Sequence, residues 1–314
     1  MITPIIETER LILRPLTVKD APDIFERWCR DERVARYVTW SVHRSVEETK
    51  EWIALEEKGL ESDKAYQWGF TLKENGYLFG SGGFFYNEEE EAWELGYNLM
   101  FDFWNQGYAT EAAKAMLDFG INELKEKEFM ARHAVDNPAS GAVMRKCGFQ
   151  YEKNEMHTKF DGITTYETRK HRLVVLQNDE IKLSLERKTE GNPEKAWVPA
   201  YHFAIYDLQG TKMGMCDLRI GHNDLLYYGG NIGYRIEEEY RGHHYAGKAC
   251  LLLLELARKH NLEYLIITCN PDNYPSRKTC EFAGGKLVEI VEVPEGNDMR
   301  ERGETEKCIY RFEL

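Results

Sequence analysis

One segment in the first half of the chain has the composition of an anion-binding site. Residues 107–111 read Gly-Tyr-Ala-Thr-Glu and open a predicted helix, Tyr108–Leu124. The first turn of a helix exposes unpaired N–H groups at the positive end of its dipole, and small residues let an anion reach the backbone. The segment therefore favours a phosphate or pyrophosphate site, although the same small residues could simply pack against a neighbouring element. It matches neither the P-loop nor the GxGxxG pattern.

This segment and its polar neighbours recur in the second half of the chain at nearly constant spacing. The offset is 137 for the first two pairs below and 136 for the third. The matching segments are Glu94-Leu-Gly-Tyr97 with Asn231-Ile-Gly-Tyr234, Trp104–Ala109 with Arg241–Ala246, and Asn137-Pro-Ala-Ser140 with Asn273-Tyr-Pro-Ser276. Because order and spacing persist together, the chain is predicted to be a duplicated domain.

The elements that position these residues alternate between strands and helices. In the first half, predicted strands are Arg10–Leu16, Gln67–Leu72, Tyr77–Tyr86, Glu91–Met100, Met130–Val135 and a hairpin from Phe149 through Asp161-Gly162. Predicted helices are Val18–Arg30, Ser45–Glu57, Tyr108–Leu124 and Pro138–Cys147. The second half lacks about 36 residues between its first two strands, which removes both early helices. We therefore expect domains at 1–175 and 176–314.

Composition excludes several classes of protein. The net charge is −13 with no basic run, which argues against nucleic-acid binding and favours cationic substrates such as amines. No apolar run reaches the roughly 18–20 residues of a membrane span, and the N-terminus does not resemble a signal peptide. Seven cysteines without a CxxC pair indicate reduced thiols in a cytoplasmic protein, and the nine histidines show no metal-binding spacing.

Together these motifs resemble the GNAT superfamily of N-acetyltransferases, whose acyl-CoA loop reads [Q/R]xxGx[G/A] between a strand and a helix and is followed by NxxS...GF. The first half, with RLILRPL, ELGYNL, WNQGYATEAA and VDNPASGAVMRKCGF, resembles the RimJ/RimL type, which acetylates ribosomal-protein N-termini. The second half, with NIGYRIEEEYRGHHYAGKA and CNPDNYPSRKTCEFAGG, resembles a shorter GNAT domain. The resemblance implies two mixed α/β (α+β) folds in tandem, each a splayed, mostly antiparallel sheet flanked by helices, with acetyl-CoA as cosubstrate.

The resemblance also implies which residues hold acetyl-CoA. The pantetheine arm would lie along the edge of the splayed strand, and the pyrophosphate would bind the N–H groups of the loop. In the first half the implied residues are Tyr97, Asn98, Leu99, Gln106, Gly107, Tyr108, Ala109, Thr110, Asn137 and Ser140. In the second half they are Ile236, Arg241, Gly242, His243, His244, Tyr245, Ala246, Gly247, Asn273 and Ser276.

Acetyl transfer to an amine also needs a group that takes the ammonium proton. The resemblance implies Glu94 as that base, often through water, and Asn137 as a partner of an ordered water. Trp93 and Leu95 would then face the other way, and apolar walls around Glu94 would suit a base near neutrality. The alternative is an exposed glutamate that continues the acidic run 88–91.

In the second half, Asn231 stands at the Glu94 position and cannot act as a base, so Asp217 on the preceding strand is a substitute. The tyrosine that many relatives use as an acid corresponds to Met144 and Cys280, so the leaving thiolate would take a proton from water. Cys280 is expected to be a small buried residue.

His244 stands where glycine is usual, at a cost of about 1–2 kcal/mol if φ is positive. The second half thus either binds CoA or is a pseudo-site kept for packing. Without the two early helices its acceptor cleft would be open, or covered by the first half or by a partner chain. We expect an N-acetyltransferase acting on a primary amine, either a small amine or a peptide N-terminus. The alternative is an acyl-CoA-binding or scaffold protein with one or both halves inactive. Either a monomer or a homodimer is compatible with the sequence.

Overall fold

The computed structural model describes residues 3–59 and 63–314. It divides into two compact units, Met1–Val175 and Leu176–Leu314, called unit 1 and unit 2 below. In the described residues no helix is both long and apolar enough to cross a membrane. The same residues contain no group of three or more His, Cys, Asp or Glu side chains placed to hold a metal ion.

The described strands of unit 1 form one sheet in the order β1-β2-β3-β4-β5-β6-β8-β7. They are β1 (Ile6–Glu7), β2 (Leu11–Arg14), β3 (Ala65–Leu72), β4 (Leu78–Asn87), β5 (Ala92–Leu99), β6 (Glu128–Ala134), β7 (Gln150–Thr158) and β8 (Thr165–Val174). All neighbours are antiparallel except β5 and β6, which pair in parallel only at Trp93–Phe129 and Glu94–Met130. Beyond Glu94 the two strands separate, so β5 has a free edge from Leu95 to Leu99 on the β6 side.

Helices cover both faces of this sheet. They are α1 (Ala21–Ile24), α2 (Glu32–Ala35), α3 (Val46–Gly59), α4 (Tyr108–Asn122) and α5 (Pro138–Lys146). A 3-10 turn, Val18–Asp20, leads into α1, and a π turn, Phe25–Cys29, follows it. The predicted helix over 18–30 is thus present but changes its winding along its length.

Two hydrophobic clusters hold these helices to the sheet. The larger contains Trp68, Phe84 and Phe129 with the inner face of α4. The smaller contains Ile24 from α1 and Ile53 from α3. Because each large apolar side chain contributes about 1.5–3 kcal/mol when fully buried, the two clusters fix the positions of the loops at the strand ends.

Unit 2 repeats this architecture with a complete split in the sheet. Its described strands form two sheets, β13-β12-β11-β10-β9 and β14-β16-β15. They are β9 (Leu176–Gln177), β10 (Ile181–Thr189), β11 (Ala200–Asp207), β12 (Lys212–Arg219), β13 (Ile232–Ile236), β14 (Tyr264–Cys269), β15 (Lys286–Glu292) and β16 (Glu306–Glu313). The helices are α6 (Asp224–Gly229), α7 (Tyr245–Lys259), α8 (Tyr274–Phe282) and α9 (Asp298–Glu301).

The predicted mixed α/β class with splayed, mostly antiparallel sheets is confirmed. Between β10 and β11, where the sequence predicts the loss of the early helices, the structure has one 3-10 turn, Pro193–Lys195. The sequence interpretation missed α6, which lies between β12 and β13. The offset between the repeats grows from 134 at Gly80 and Gly214 to 137 at Gly96 and Gly233, so the added residues fall in this connection.

Candidate functional site

The loop between β5 and α4 presents unpaired N–H groups in unit 1. A 3-10 turn, Phe101–Phe103, ends β5, and Gly107 caps α4 with φ 83°. Asn105 also has a positive φ, 58°. The N–H groups of Tyr108, Ala109 and Thr110 have no partner within a helix that begins at Tyr108. They point out of the helix end with the positive pole of the dipole behind them.

Unit 2 builds the same loop with its glycine moved. Gly242 has φ 90° and His244 has φ 59°, at the positions of Asn105 and Gly107 respectively. The backbone is therefore left-handed at both positions in both units, and in each unit one of the two residues is glycine. The expected positive φ at His244 is present, and its ring stacks on Phe282 with centroids 4.8 Å apart.

The first residue of the loop makes the same hydrogen bond in both units, although its type differs. Trp104 donates from Nε1 to the carbonyl oxygen of Leu99 at 2.9 Å. Arg241 donates from Nε to the carbonyl oxygen of Ile236 at 3.2 Å. Tryptophan and arginine are thus interchangeable here because each can donate one N–H group to the last carbonyl of the splayed strand.

An ion pair braces the loop of unit 1. Arg10 donates from Nη1 to the carbonyl of Gln106 at 3.1 Å and from Nε to Glu111 Oε2 at 2.7 Å. Its guanidinium lies 4.2 Å from the ring centroid of Tyr108. Burial raises the pKa of Glu111, but hydrogen bonds from Thr8 and Arg10 outweigh it and lower the pKa overall. The first turn of α4 is therefore fixed to the β1–β2 connection.

Unit 2 has the same brace with its charges exchanged. Lys248, on the helix, donates to the carbonyl of His243 at 3.1 Å and to Glu180 Oε2 at 2.6 Å. Its ammonium lies 5.3 Å from the ring centroid of Tyr245. His243 occupies the position of Gln106, so a cation holds the same loop carbonyl in each unit.

The two asparagines of the repeat cap the helix that follows the splay. Asn137 Oδ1 accepts a hydrogen bond from the N–H of Ser140 at 3.3 Å, and Asn273 Oδ1 accepts one from Ser276 at 3.1 Å. Such a cap contributes about 1 kcal/mol to helix stability. The oxygen keeps a second lone pair and Nδ2 carries two N–H groups, so either atom of each asparagine can also contact a ligand.

A buried tyrosine ties the splayed strand to the capped helix. Tyr97 Oη lies 2.9 Å from Ser140 Oγ, and Tyr234 Oη lies 2.6 Å from Ser276 Oγ. Burial raises the pKa of both tyrosines, which therefore stay protonated near neutrality. The structure thus brings the predicted residues of strand and helix together, at the side of the splay.

The next residue of the splayed strand in unit 1 faces the other way. Asn98 donates from Nδ2 to Ser81 Oγ at 2.9 Å. Among the described residues its buried Oδ1 accepts no hydrogen bond. Leu99 and Ile236 provide the carbonyls that hold the loop, as described above.

Glu94 lies at the point where β5 and β6 separate, but its surroundings differ from the expectation. Trp93 and Leu95 do point into the core. The carboxylate, however, meets polar groups instead of apolar walls: Glu94 Oε2 lies 2.5 Å from Arg132 Nη1 and accepts a hydrogen bond from Asn87 at 3.1 Å. The premise of an apolar environment is therefore wrong, and Glu94 is one member of an ion-pair network on this face of the sheet.

That network extends across β6, β7 and β8. Its cations include Arg132 and Lys170, and its anions include Glu90 and Glu155. Lys170 is buried and lies 2.6 Å from Glu90 Oε2, which lowers the pKa of Glu90. Burial raises the pKa of Glu155, but the hydrogen bond from Arg132 and the nearby positive charges together outweigh it and lower the pKa.

Two residues beside this network were missed by sequence reasoning. His157 on β7 and Tyr166 on β8 are cross-strand partners with rings 5.6 Å apart. They lie on the Glu94 face, because Glu155 has the same parity as His157 and contacts Arg132. The hairpin register could have identified them as partners, because the pairing runs without a shift from Thr158–Thr165 beside the turn to Lys153–Lys170.

The hairpin tip next to these residues contacts the connection between α2 and α3. Lys159 donates from Nζ to the carbonyl of Ala35 at 2.6 Å, and Ser41 donates to Asp161 at 3.0 Å. The hairpin of unit 1 is thus held against the end of α2 and the connection to α3, and enclosure of the acceptor cleft by the early helices stays a prediction.

In unit 2 the Glu94 position has a structural role. Asn231 is fully buried, donates to the carbonyls of Arg219 and Gly221, and accepts from the N–H of Ile266 at 2.9 Å. It therefore links β13 to β14 across the split sheet. Asp217, the suggested substitute base, lies 2.9 Å from Arg219 Nη2.

A cavity of about 290 Å³ opens beside Asn231. Its lining includes His222, Tyr264 and residues of α6. The extra helix α6 therefore lines a cavity next to Asn231, the residue that links β13 to β14. Met144 and Cys280, at the position of the absent tyrosine, are both buried, as expected for Cys280.

Comparison with known proteins identifies the domain type. A family model described as Acetyltransferase (GNAT) domain matches residues 10–150 and 158–286. The N-acetyltransferase YoaA of Bacillus subtilis (strain 168) is 30% identical over 172 residues, which is 54% of this chain and 97% of that protein.

Solved structures of similar fold include two acetyltransferases. One, a GNAT-family acetyltransferase from Bacillus anthracis, is 25% identical with a TM-score of 0.48, and the match covers 55% of this chain and 98% of that chain. Another, RimL, a ribosomal L7/L12 alpha-N-protein acetyltransferase in complex with coenzyme A, is 20% identical with a TM-score of 0.49. That match covers 55% of this chain and 98% of RimL.

Proposed function

This chain belongs to the acetyltransferase (GNAT) family with acetyl-CoA as cosubstrate, and from that premise we propose that unit 1 acetylates a primary amine, either a small amine or a peptide N-terminus. The observation that carries the proposal is the position of Glu94. The braced loop with unpaired N–H groups leads directly into the strand opening, and the Glu94 carboxylate stands at its head. Carboxylates at that point attract an ammonium group, which is the form of most amines near neutrality.

In the proposed site, the loop N–H groups of Gln106–Thr110 bind the pyrophosphate and the free edge Tyr97–Leu99 binds the pantetheine arm. Asn137 Nδ2 and the Ser140 end of α5 lie along that arm. The amine nitrogen attacks the thioester carbonyl, so that a C–N bond forms and the C–S bond breaks. The thiolate then takes a proton from water, since Met144 cannot supply one.

We further propose that unit 2 binds acetyl-CoA but does not form an amide. The support is the set of matched loop features: positive φ at Gly242 and His244, the Arg241 hydrogen bond, and the Lys248 brace. The corresponding binding groups are the N–H groups of His243–Gly247, the Ile236 edge, and the Asn273 and Ser276 end of α8. Asn231 offers no base, and Asp217 is already paired with Arg219.

A thiol-release assay with the full chain tests the proposed function. The wild-type protein is presented with acetyl-CoA and a panel of small amines and peptides with free or blocked N-termini. We expect coenzyme A release that depends on a free amine and yields a stoichiometric amide by mass spectrometry. Release without amide, or none with any amine, would contradict the proposal and favour a protein that holds acyl-CoA as a ligand.

A further inference from the structure

We infer that His157 is the residue of unit 1 that takes the proton from the acceptor ammonium, an inference that rests on the proposed function of that site. The observation behind it is an unused ring nitrogen. His157 Nε2 is buried and has no hydrogen-bond partner among the residues that the structure describes. A buried polar atom without a partner costs about 1–3 kcal/mol, so its retention calls for a ligand or a function.

The position of His157 matches that function. Four elements present ionisable groups to it: Glu94 from β5, Arg132 from β6, Glu155 from its own strand β7, and Tyr166 from β8. Glu155, two residues from His157 on the same face, pairs with Arg132, which also pairs with Glu94 at the point where the splayed strands separate. His157 is therefore on the same face as Glu94 and is connected to the proposed point of transfer through these ion pairs.

The protonation state of His157 also suits a base. Burial lowers the pKa of the imidazole, the Arg132 charge lowers it further, and the carboxylates of Glu94 and Glu155 oppose these effects in part. A lowered pKa leaves the ring neutral at pH 7, so Nε2 has a lone pair available. The same carboxylates would stabilise the imidazolium once it forms, as a base needs during turnover.

The other ionisable groups of the face are less suited to this step. Glu94 Oε2 and Glu155 Oε1 are both engaged by Arg132. Burial and the charge of Glu94 raise the pKa of Tyr166, so its hydroxyl stays protonated. We therefore assign Glu94 the role of attracting and orienting the ammonium.

The step conserves atoms and charge. His157 Nε2 takes one proton from R–NH₃⁺ and gives a neutral amine and an imidazolium. The amine attacks the thioester carbon, so that a C–N bond forms and the C–S bond breaks. The nitrogen loses its second proton to water as the amide forms, and the released thiolate takes one proton from water. The imidazolium returns its proton to solvent after the product leaves.

The test compares three variants of the full-length protein: H157Q, E94Q, and H171Q as the matched control. His171 on β8 is also buried with an unpartnered Nε2, but it packs against His133 rather than the Glu94 face. Each variant is checked by thermal unfolding and by calorimetric binding of acetyl-CoA, so that a folding or binding defect is seen separately. Values of kcat/KM for one amine are then measured from pH 5 to pH 9.

We expect H157Q to bind acetyl-CoA within about twofold of wild type and to lose about 100-fold in kcat/KM at pH 8. The ratio of wild type to H157Q should fall toward 1 as pH drops below the pKa of His157, because the wild-type imidazole is then protonated. The ionisation of the substrate cancels from this ratio. H171Q should stay within about twofold of wild type at pH 8.

Two results would overturn the inference. One is a loss in kcat/KM below about threefold in H157Q. The other is a ratio of wild type to E94Q that falls toward 1 at low pH while the ratio of wild type to H157Q does not change with pH, which would make Glu94 the base. Either result leaves the proposed function intact as long as the wild-type protein still forms the amide. A wild type that forms no amide would refute the proposed function itself.

Discussion

The loops that precede α4 in unit 1 and α7 in unit 2 meet the same physical requirements with different residues. The two left-handed positions are Asn105 and Gly107 in unit 1 and Gly242 and His244 in unit 2. The cation of the brace lies before the helix in sequence in unit 1 and on the helix in unit 2. The ionisable face beside the splay is not kept in this way, because Asn231 replaces Glu94 and bonds to β14. The backbone geometry of the loop is thus present in both units, whereas the ionisable face that contains Glu94 is a feature of unit 1.

The largest expected difference between the units concerns their helix caps. We predict that Gly107→Val lowers kcat/KM for acetyl transfer about 100-fold, because a β-branched residue at φ 83° is strained and its side chain blocks the N–H groups. The thiol-release assay with saturating amine and varied acetyl-CoA measures this kcat/KM. The matched variant His244→Val tests unit 2: if it abolished transfer while Gly107→Val did not, unit 2 would be the catalytic unit.

A smaller effect is expected from converting the unit 1 brace into that of unit 2. Arg10→Glu and Glu111→Lys, each alone, should weaken acetyl-CoA binding by unit 1 about tenfold, since each leaves like charges facing each other beside the loop. The double variant restores an opposite-charge pair, with the cation on the helix as in Lys248, and should recover to within about threefold of wild type. Calorimetry measures all three, and a double variant no better than the singles would refute the equivalence of the braces.

The left-handed loop positions predict a change in stability. Gly242 has φ 90° and open space where a Cβ would lie, so Gly242→Ala should cost about 1–2 kcal/mol of unfolding free energy through backbone strain alone. Gly96→Ala is the control, because it also has open space but no positive φ. Denaturant unfolding of both variants checks this, and equal losses would show that the left-handed backbone is not the cause.

The last expected effect is on stability: His171 makes the unfolding free energy of unit 1 depend on pH. Burial lowers the pKa of His171 to about 4, from an ordinary value of 6.5. Between these values the unfolded chain binds the proton first, so stability is complete above pH 6.5 and falls as pH drops toward 4. We expect a loss of roughly 2 kcal/mol from this group by about pH 5. His171→Gln should flatten that part of the curve in thermal unfolding, and an unchanged slope would exclude His171 as its source.

Much of the fold was predictable from the sequence because the repeat supplied two independent copies of each pattern. The order of strands along the chain and the short helices after Asn137 and Asn273 follow from local residue types. Helix α6 could not be predicted in this way, because Asp224–Gly229 is six residues long and carries no periodic apolar face.

The candidate site was less predictable because it depends on contacts between distant residues. The Arg132–Glu94 pair joins residues on two strands that meet only at the splay, and neither residue indicates the other in sequence. His157 pairs with Tyr166 in the regular part of the hairpin, but neither residue indicates in sequence that the hairpin lies beside Arg132. By contrast, the loop residues are local to one turn, so their matched spacing predicts them from sequence, and their contact with acetyl-CoA stays a prediction.

The number of acetyl-CoA molecules bound per chain tests the central claim most directly. Isothermal titration of the full-length wild-type protein should give two equivalents, of which Gly107→Val removes one and His244→Val removes the other. A single equivalent that is lost in Gly107→Val and kept in His244→Val would contradict the account, because unit 2 would then have kept the shape of the loop without its ligand.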